Sequence, residues 1–111
     1  MDKFDHIILC TEQATGTLLG KLIPTNKKIT VVEGGKIGGS CINYGFTPTK
    51  TLVASACAIH VARRGSEFGF KTGPVEIDYS SVRERMKKIR NSSSDGSTKL
   101  IESNLNVWKV K

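Results

Sequence analysis

The sequence predicts an α/β fold with parallel strands. Three observations carry this expectation. A dense apolar run, Phe4–Cys10 (FDHIILC), precedes a helical apolar pattern over Glu12–Ile23. A β-branched run, Lys28–Glu33 (KITVVE), follows it. The links between them are short, so strand, helix and strand form a βαβ unit with parallel strands and a right-handed crossover.

Each element has its own warrant. Phe4–Cys10 reads as a buried strand because it ends in consecutive apolar residues. In the next segment Ala14, Leu18, Leu19 and Leu22 share one helical face. Pro24-Thr25-Asn26 breaks that helix, and Asn26 suits the left-handed exit. Lys28–Glu33 is the second strand, and Gly34–Gly39 is a glycine-rich loop. Thr47 and Pro48 read as an N-cap and first helical position. Leu52, Ala56 and Ile59 keep helical spacing to Arg64, and Gly65 ends the run. Glu67–Gly73 is irregular, and Val75–Tyr79 reads as a brief extended piece. Ser80 or Ser81 caps a further helix with Val82, Met86 and Ile89 as its stripe. The serines and glycine of Asn91–Ser97 weaken it, and Leu100-Ile101 resume a last turn. Asn106–Val110 (NVWKV) alternates and reads as a third strand. A long helical insertion thus precedes the third strand. With no repeat and no linker, residues 1–111 read as one domain.

Composition narrows the function classes. The chain has 111 residues, 38% of them hydrophobic and 24% charged, which excludes compositional disorder. No apolar run approaches bilayer length, and the N-terminus lacks a signal-peptide shape, so a cytoplasmic location is expected. Net charge is +7, but the one dense basic cluster, Arg83–Arg90 (RERMKKIR), has no interleaved aromatics. It reads as a solvated helix face, and a nucleic-acid partner is not expected. Three cysteines, Cys10, Cys41 and Cys57, have neither disulfide-framework nor zinc spacing. With only His6 and His60 beside them, no metal site is expected. His60 reads as a partly buried, hydrogen-bonded side chain, Cys57 as a small hydrophobe, and Trp108 as a packing anchor.

Chemistry points to two places. A first βαβ unit with an acid ending its second strand is the outline of a dinucleotide site, and Glu33 holds that position. A carboxylate there accepts two ribose hydroxyls side by side. The second place is Gly38–Lys50 (GGSCINYGFTPTK), where a cysteine follows a double glycine and a helix start follows the cysteine.

These blocks resemble a known family. The order Phe-Asp-x-Ile-Ile, Val-Val-Glu-Gly-Gly, then Gly-Gly-Ser-Cys-Ile-Asn-Tyr-Gly-Phe-Thr-Pro-Thr-Lys-Thr-Leu is similar to the N-terminus of the flavin-dependent pyridine nucleotide–disulfide oxidoreductases. Mercuric reductase-like and dihydrolipoamide dehydrogenase-like members are nearest, and SACAIHVARRGSEFGF and PVEIDYSSVRERMKKI extend the likeness. The resemblance implies a partial Rossmann-like FAD-binding domain, FAD as cofactor, NAD(P)H as co-substrate and a homodimeric enzyme. It assigns the adenosine ribose to Glu33, with Gly34 beside it, and the pyrophosphate to Gly39 and Ser40. It makes Cys41 the substrate-exchanging redox cysteine and sets Lys50 beside the flavin ring. Thr47 and Pro48 shape the helix start that aims Lys50.

The departures bear on activity. The family's second redox cysteine falls on Phe46, and one thiol cannot complete a dithiol cycle. A Cys41 still reactive at a helix start would have a lowered thiol pKa, but without its partner thiol it reads as an ordinary cysteine. The three glycines of the family's first turn fall on Cys10, Glu12 and Thr15 in LCTEQATG, and Glu12 sets a negative charge where phosphate belongs. The family's later strands and its nicotinamide-binding and dimerisation domains have no counterpart here. Two readings stay open: the N-terminal part of an FAD-dependent oxidoreductase, inactive alone, and a non-enzymatic α/β domain acting in self-association or protein interaction. The expected partner is a second copy or the remainder of the enzyme.

Overall fold

The computed structural model describes residues 2–104 and, of residues 107–110, the backbone strand. Strand β1 (His6–Leu9) leads to helix α1 (Gln13–Leu22), a 3₁₀ turn (Ile23–Thr25) and strand β2 (Ile29–Val32). A short helix, α2 (Gly39–Asn43), precedes the long helix α3 (Phe46–Arg63) and a second 3₁₀ turn (Gly65–Phe68). Helix α4 (Tyr79–Glu102) then leads to strand β3 (Val107–Val110).

The α/β class and the parallel βαβ unit are as the sequence predicts. The sheet order is β1-β2-β3, with His6 opposite Ile29 and Ile29 opposite Val107, all parallel. Asn26 exits at φ 55°, the left-handed conformation expected of it.

Among the described residues the buried core joins α1, β2 and α4. Leu19 of α1, Ile29 and Val31 of β2 and Ile101 of α4 are buried together, and Ile8, Leu22, Ile23 and Ile37 pack against them. β1 is therefore not the fully buried strand expected. It alternates, because only one of its faces meets helices: Ile8 packs inward while Ile7 and Leu9 are 64% and 72% exposed. In α1 the buried positions are Thr15 and Leu19, while Ala14 and Leu18 are exposed.

The helices differ from expectation in three ways. First, a short helix, α2, begins at the last residue of the glycine-rich loop, directly after the left-handed Gly38. Second, α3 starts at Phe46, so Thr47 and Pro48 sit inside its first turn, where a missing N–H costs nothing. Third, α4 is continuous through Asn91–Ser97. Ser93, Ser97 and Thr98 return their hydroxyls to carbonyls one turn back at 3.0, 3.3 and 3.0 Å, and Ser94 donates to the Ile37 carbonyl at 2.7 Å. Asp78, not Ser80 or Ser81, caps α4 by accepting the Ser81 N–H at 3.1 Å. Val75–Asp78 pairs with no strand, and Tyr79 is already helical.

Helix α4 packs along α3, where Arg85 donates to the Thr51 carbonyl at 3.1 Å. The two helices give the chain its extents of 67 × 24 × 18 Å. The basic run on α4 is dispersed by local partners: Lys87 pairs with Glu84 at 2.7 Å and Arg90 with Asn91 at 3.1 Å. His60 is exposed, not part-buried, with Arg64 3.1 Å from its Nε2, and Cys57 is exposed too. Cys57 and His60 thus lie on a solvent-exposed part of α3. The side chain of Trp108 lies outside the described residues.

Candidate functional site

The β1–α1 turn, the end of β2 and the loop into α2 meet at one end of the sheet. The turn is tight, with the Cys10 N–H bonded to the Val32 carbonyl at 2.7 Å and the chain then reversing into α1. That reversal puts Cys10 at φ 73°. The left-handed region crowds a Cβ against the following carbonyl, so the position suits glycine and Cys10 holds it under strain. Thr15, one helical turn on, is buried and returns its hydroxyl to the Cys10 carbonyl at 3.2 Å.

The second strand ends at the same place. The Glu33 carboxylate accepts the Thr11 N–H at 2.9 Å, the Thr11 hydroxyl, and the Gly35 N–H at 2.8 Å. The Thr11 hydroxyl oxygen in turn accepts the Gly38 N–H at 2.9 Å. These donors, the Thr11 hydroxyl first, hold the Glu33 carboxyl below its ordinary value. Gly34 is exposed in the turn beside it.

The third piece is the start of α2. Glu12 does not cap its own helix α1. Its carboxylate crosses to α2 and accepts the Ser40 N–H at 2.7 Å, the Ser40 hydroxyl at 2.6 Å and the Cys41 N–H at 3.4 Å. These bonds, the Ser40 hydroxyl first, lower its pKa. Gly39 sits directly beneath at φ 62°, and a Cβ there would collide with the Glu12 carboxylate. Asn43 is buried and ties the loop from below, donating to the Ile37 and Gly39 carbonyls at 3.1 and 2.9 Å.

The structure therefore brings Glu33, Gly39, Ser40 and Cys41 to one place, with Gly34 at its rim. Thr47 lies in the first turn of α3, where its carbonyl accepts the Thr51 hydroxyl at 2.7 Å. Lys50 is exposed, with Nζ 6.0 Å from the centre of the Phe46 ring. The helix start does not lower the Cys41 thiol here. Burial first, and then the adjacent Glu12 carboxylate, push it above the ordinary thiol value. Cys10, Cys41 and Cys57 are all free thiols. Among the described residues no group of metal-ligating side chains forms, and no helix is long and apolar enough to cross a membrane.

Sequence reasoning missed Thr11 and Asn43. Thr11 had a signal, since it follows the end of β1 and the parallel register carries that end to Glu33. Asn43 had none beyond its place among glycines.

A parallel sheet, a βαβ turn and an acid at the end of the second strand define a Rossmann-like α/β segment. The dihydrolipoyl dehydrogenase of Chlorobaculum parvum is 32% identical over 83 residues, which is 74% of this chain and 18% of that protein. The mercuric reductase of Lysinibacillus sphaericus is 30% identical over 88 residues, 79% of this chain and 16% of that protein. The chain belongs to the pyridine nucleotide–disulfide oxidoreductase family and spans under a fifth of the length of these relatives. Its fold matches the HOCl-induced flavoprotein disulfide reductase RclA of Escherichia coli, solved as a Cu(II) complex. That match has a TM-score of 0.73 at 22% identity over 99% of this chain and 22% of the other. No family model matches the chain.

Proposed function

We propose that the chain is the N-terminal part of the FAD-binding domain of a pyridine nucleotide–disulfide oxidoreductase, and that it does not itself run the dithiol cycle. One observation carries the reading. Cys41 sits at the start of α2 as a lone thiol of raised pKa, and the position where the family sets its second thiol is the ring of Phe46, against Lys50. A two-electron dithiol cycle needs two thiols that close and open one disulfide, and it needs a thiolate to attack. The first requirement lacks its second thiol, and the second is disfavoured by the raised Cys41 pKa.

The residues present also do not fit a flavin pyrophosphate in this arrangement. The amides of Ser40 and Cys41 are taken by Glu12, and the Glu33 carboxylate is taken by Thr11 and Gly35. Purified protein mixed with FAD and then desalted is expected to keep no flavin absorbance. A retained flavin band with a changed shape would overturn the reading.

The exposure of β1 favours a second reading, self-association. β1 is bonded to β2 on one side only, and Ile7 and Leu9 are 64% and 72% exposed on it. Exposed edges of this kind pair with other chains. Sedimentation over a concentration series tests it: a rising mass supports association, and a constant monomer mass removes it.

A further inference from the structure

We infer that the dipeptide Thr11-Glu12 is an internal counter-ligand, which occupies the groups this fold type turns toward a nucleotide and holds the sheet-end loops together without one. The inference rests on the reading that no flavin is resident. Its basis is a correspondence of chemistry at two adjacent residues. In a dinucleotide site the acid ending the second strand accepts hydroxyls; here the Glu33 carboxylate accepts the Thr11 hydroxyl and N–H. In such a site backbone N–H groups and a helix start meet an anionic oxygen; here the Ser40 and Cys41 N–H groups meet the Glu12 carboxylate.

The arrangement is closed on both sides. The Thr11 hydroxyl donates to Glu33 and accepts from Gly38, so both of its roles are used. Glu12 divides its two oxygens between Ser40 and Cys41. The left-handed Gly39 leaves room for that carboxylate, and a side chain there would expel it. One short turn thereby joins β1, the end of β2 and the start of α2. An external anion has to displace a tethered carboxylate, whose local concentration is far higher than its own.

The test is thermal unfolding of the whole chain at neutral pH, with and without millimolar ADP as probe. Glu12→Ala is expected to lower the midpoint by roughly 4–8 °C, the shift for one lost helix-end acceptor in a domain of this size. Glu12→Gln keeps one carbonyl acceptor and is expected to fall between the two, which keeps the comparison open if Glu12→Ala does not fold. Amide exchange at Ser40 and Cys41 is expected to quicken in Glu12→Gln, and at Gly38 in Thr11→Val. ADP is expected to leave the wild-type midpoint unchanged. A Glu12→Ala midpoint equal to wild type, or unchanged exchange at those amides, overturns the brace. A wild-type midpoint raised by ADP shows that the groups are not filled and overturns the inference as well. FAD retained by the wild type removes the flavin-free reading and the inference with it, whereas a failed brace in protein that retains no FAD strikes the inference alone.

Discussion

Glu12 and Ser40, one in the β1–α1 turn and one in α2, are joined twice: the Ser40 N–H and hydroxyl meet the same carboxylate oxygen at 2.7 and 2.6 Å. The bonds need the charged carboxylate. Glu12, Glu33 and Asp78 all have folded values below their ordinary 4.5, 4.5 and 3.8, through donors that favour the anion. A depressed carboxylate stabilises the fold fully above its unfolded value and loses that contribution as pH falls through the folded one. The midpoint of unfolding is therefore expected to be level near neutrality and to drop below about pH 4.5. Glu12→Gln and Glu33→Gln are expected to flatten that acid limb. A limb unchanged in both variants argues against these carboxylates as its source.

Cys10 offers a stabilising substitution. Its φ of 73° costs an L-residue about 1–2 kcal/mol, and glycine removes that cost while adding about 0.5–1 kcal/mol of unfolded-chain entropy. Cys10→Gly is expected to raise stability by roughly 0.5–1 kcal/mol in denaturant unfolding. A loss of stability would show that the turn relaxes to a different conformation.

Cys41 is expected to be a slow thiol. Burial and the Glu12 carboxylate raise its pKa above the ordinary thiol value, so its thiolate fraction at mildly alkaline pH lies below that of free cysteine. Alkylation by iodoacetamide, followed by mass spectrometry of the labelled peptide, should lag several-fold behind the free amino acid. Glu12→Gln should speed it by removing the neighbouring charge. Rapid labelling in the wild type would contradict the environment described for this thiol.

The core gives a contrast pair. Leu19 is fully buried and Leu18, beside it, is 42% exposed. Leu19→Ala is expected to cost about 2–5 kcal/mol, and Leu18→Ala about 1 kcal/mol. Against a marginal total stability, the first substitution should unfold much of the population at 37 °C, read by circular dichroism. Equal losses at the two positions would place the core elsewhere.

Much of the fold was legible because it rests on local pattern. The β-branched KITVVE run gave β2, the break at Pro24–Asn26 gave the helix exit, and short links gave the parallel βαβ unit. Helix α2 was not legible, since five residues among glycines have no periodicity to read. The continuity of α4 was hidden because Ser93 and Ser97 look like helix breakers until their hydroxyls fold back on the preceding turn. At the site, the charge of Glu12 identified an obstacle to phosphate. Its destination on another helix depends on how two loops meet, which no local window contains. The upward shift of the Cys41 thiol was not legible for the same reason, because the neighbour that contributes to it lies 29 residues away in sequence.

The placement of β2 has a consequence for how the chain assembles. Its two neighbours, β1 (His6–Leu9) and β3 (Val107–Val110), lie far apart in sequence, so one flank closes over a short loop and the other over a long one. Closing so large a loop in one step is slow, since its entropy is lost before any pairing is gained. In the folded chain the long α3 and α4 helices span that loop. Packed along each other, they carry the chain out and back, and the Ser94 hydroxyl of α4 meets the Ile37 carbonyl beyond β2. The helical arm is in this sense a spacer: it closes, in the folded state, the loop that separates two paired strands.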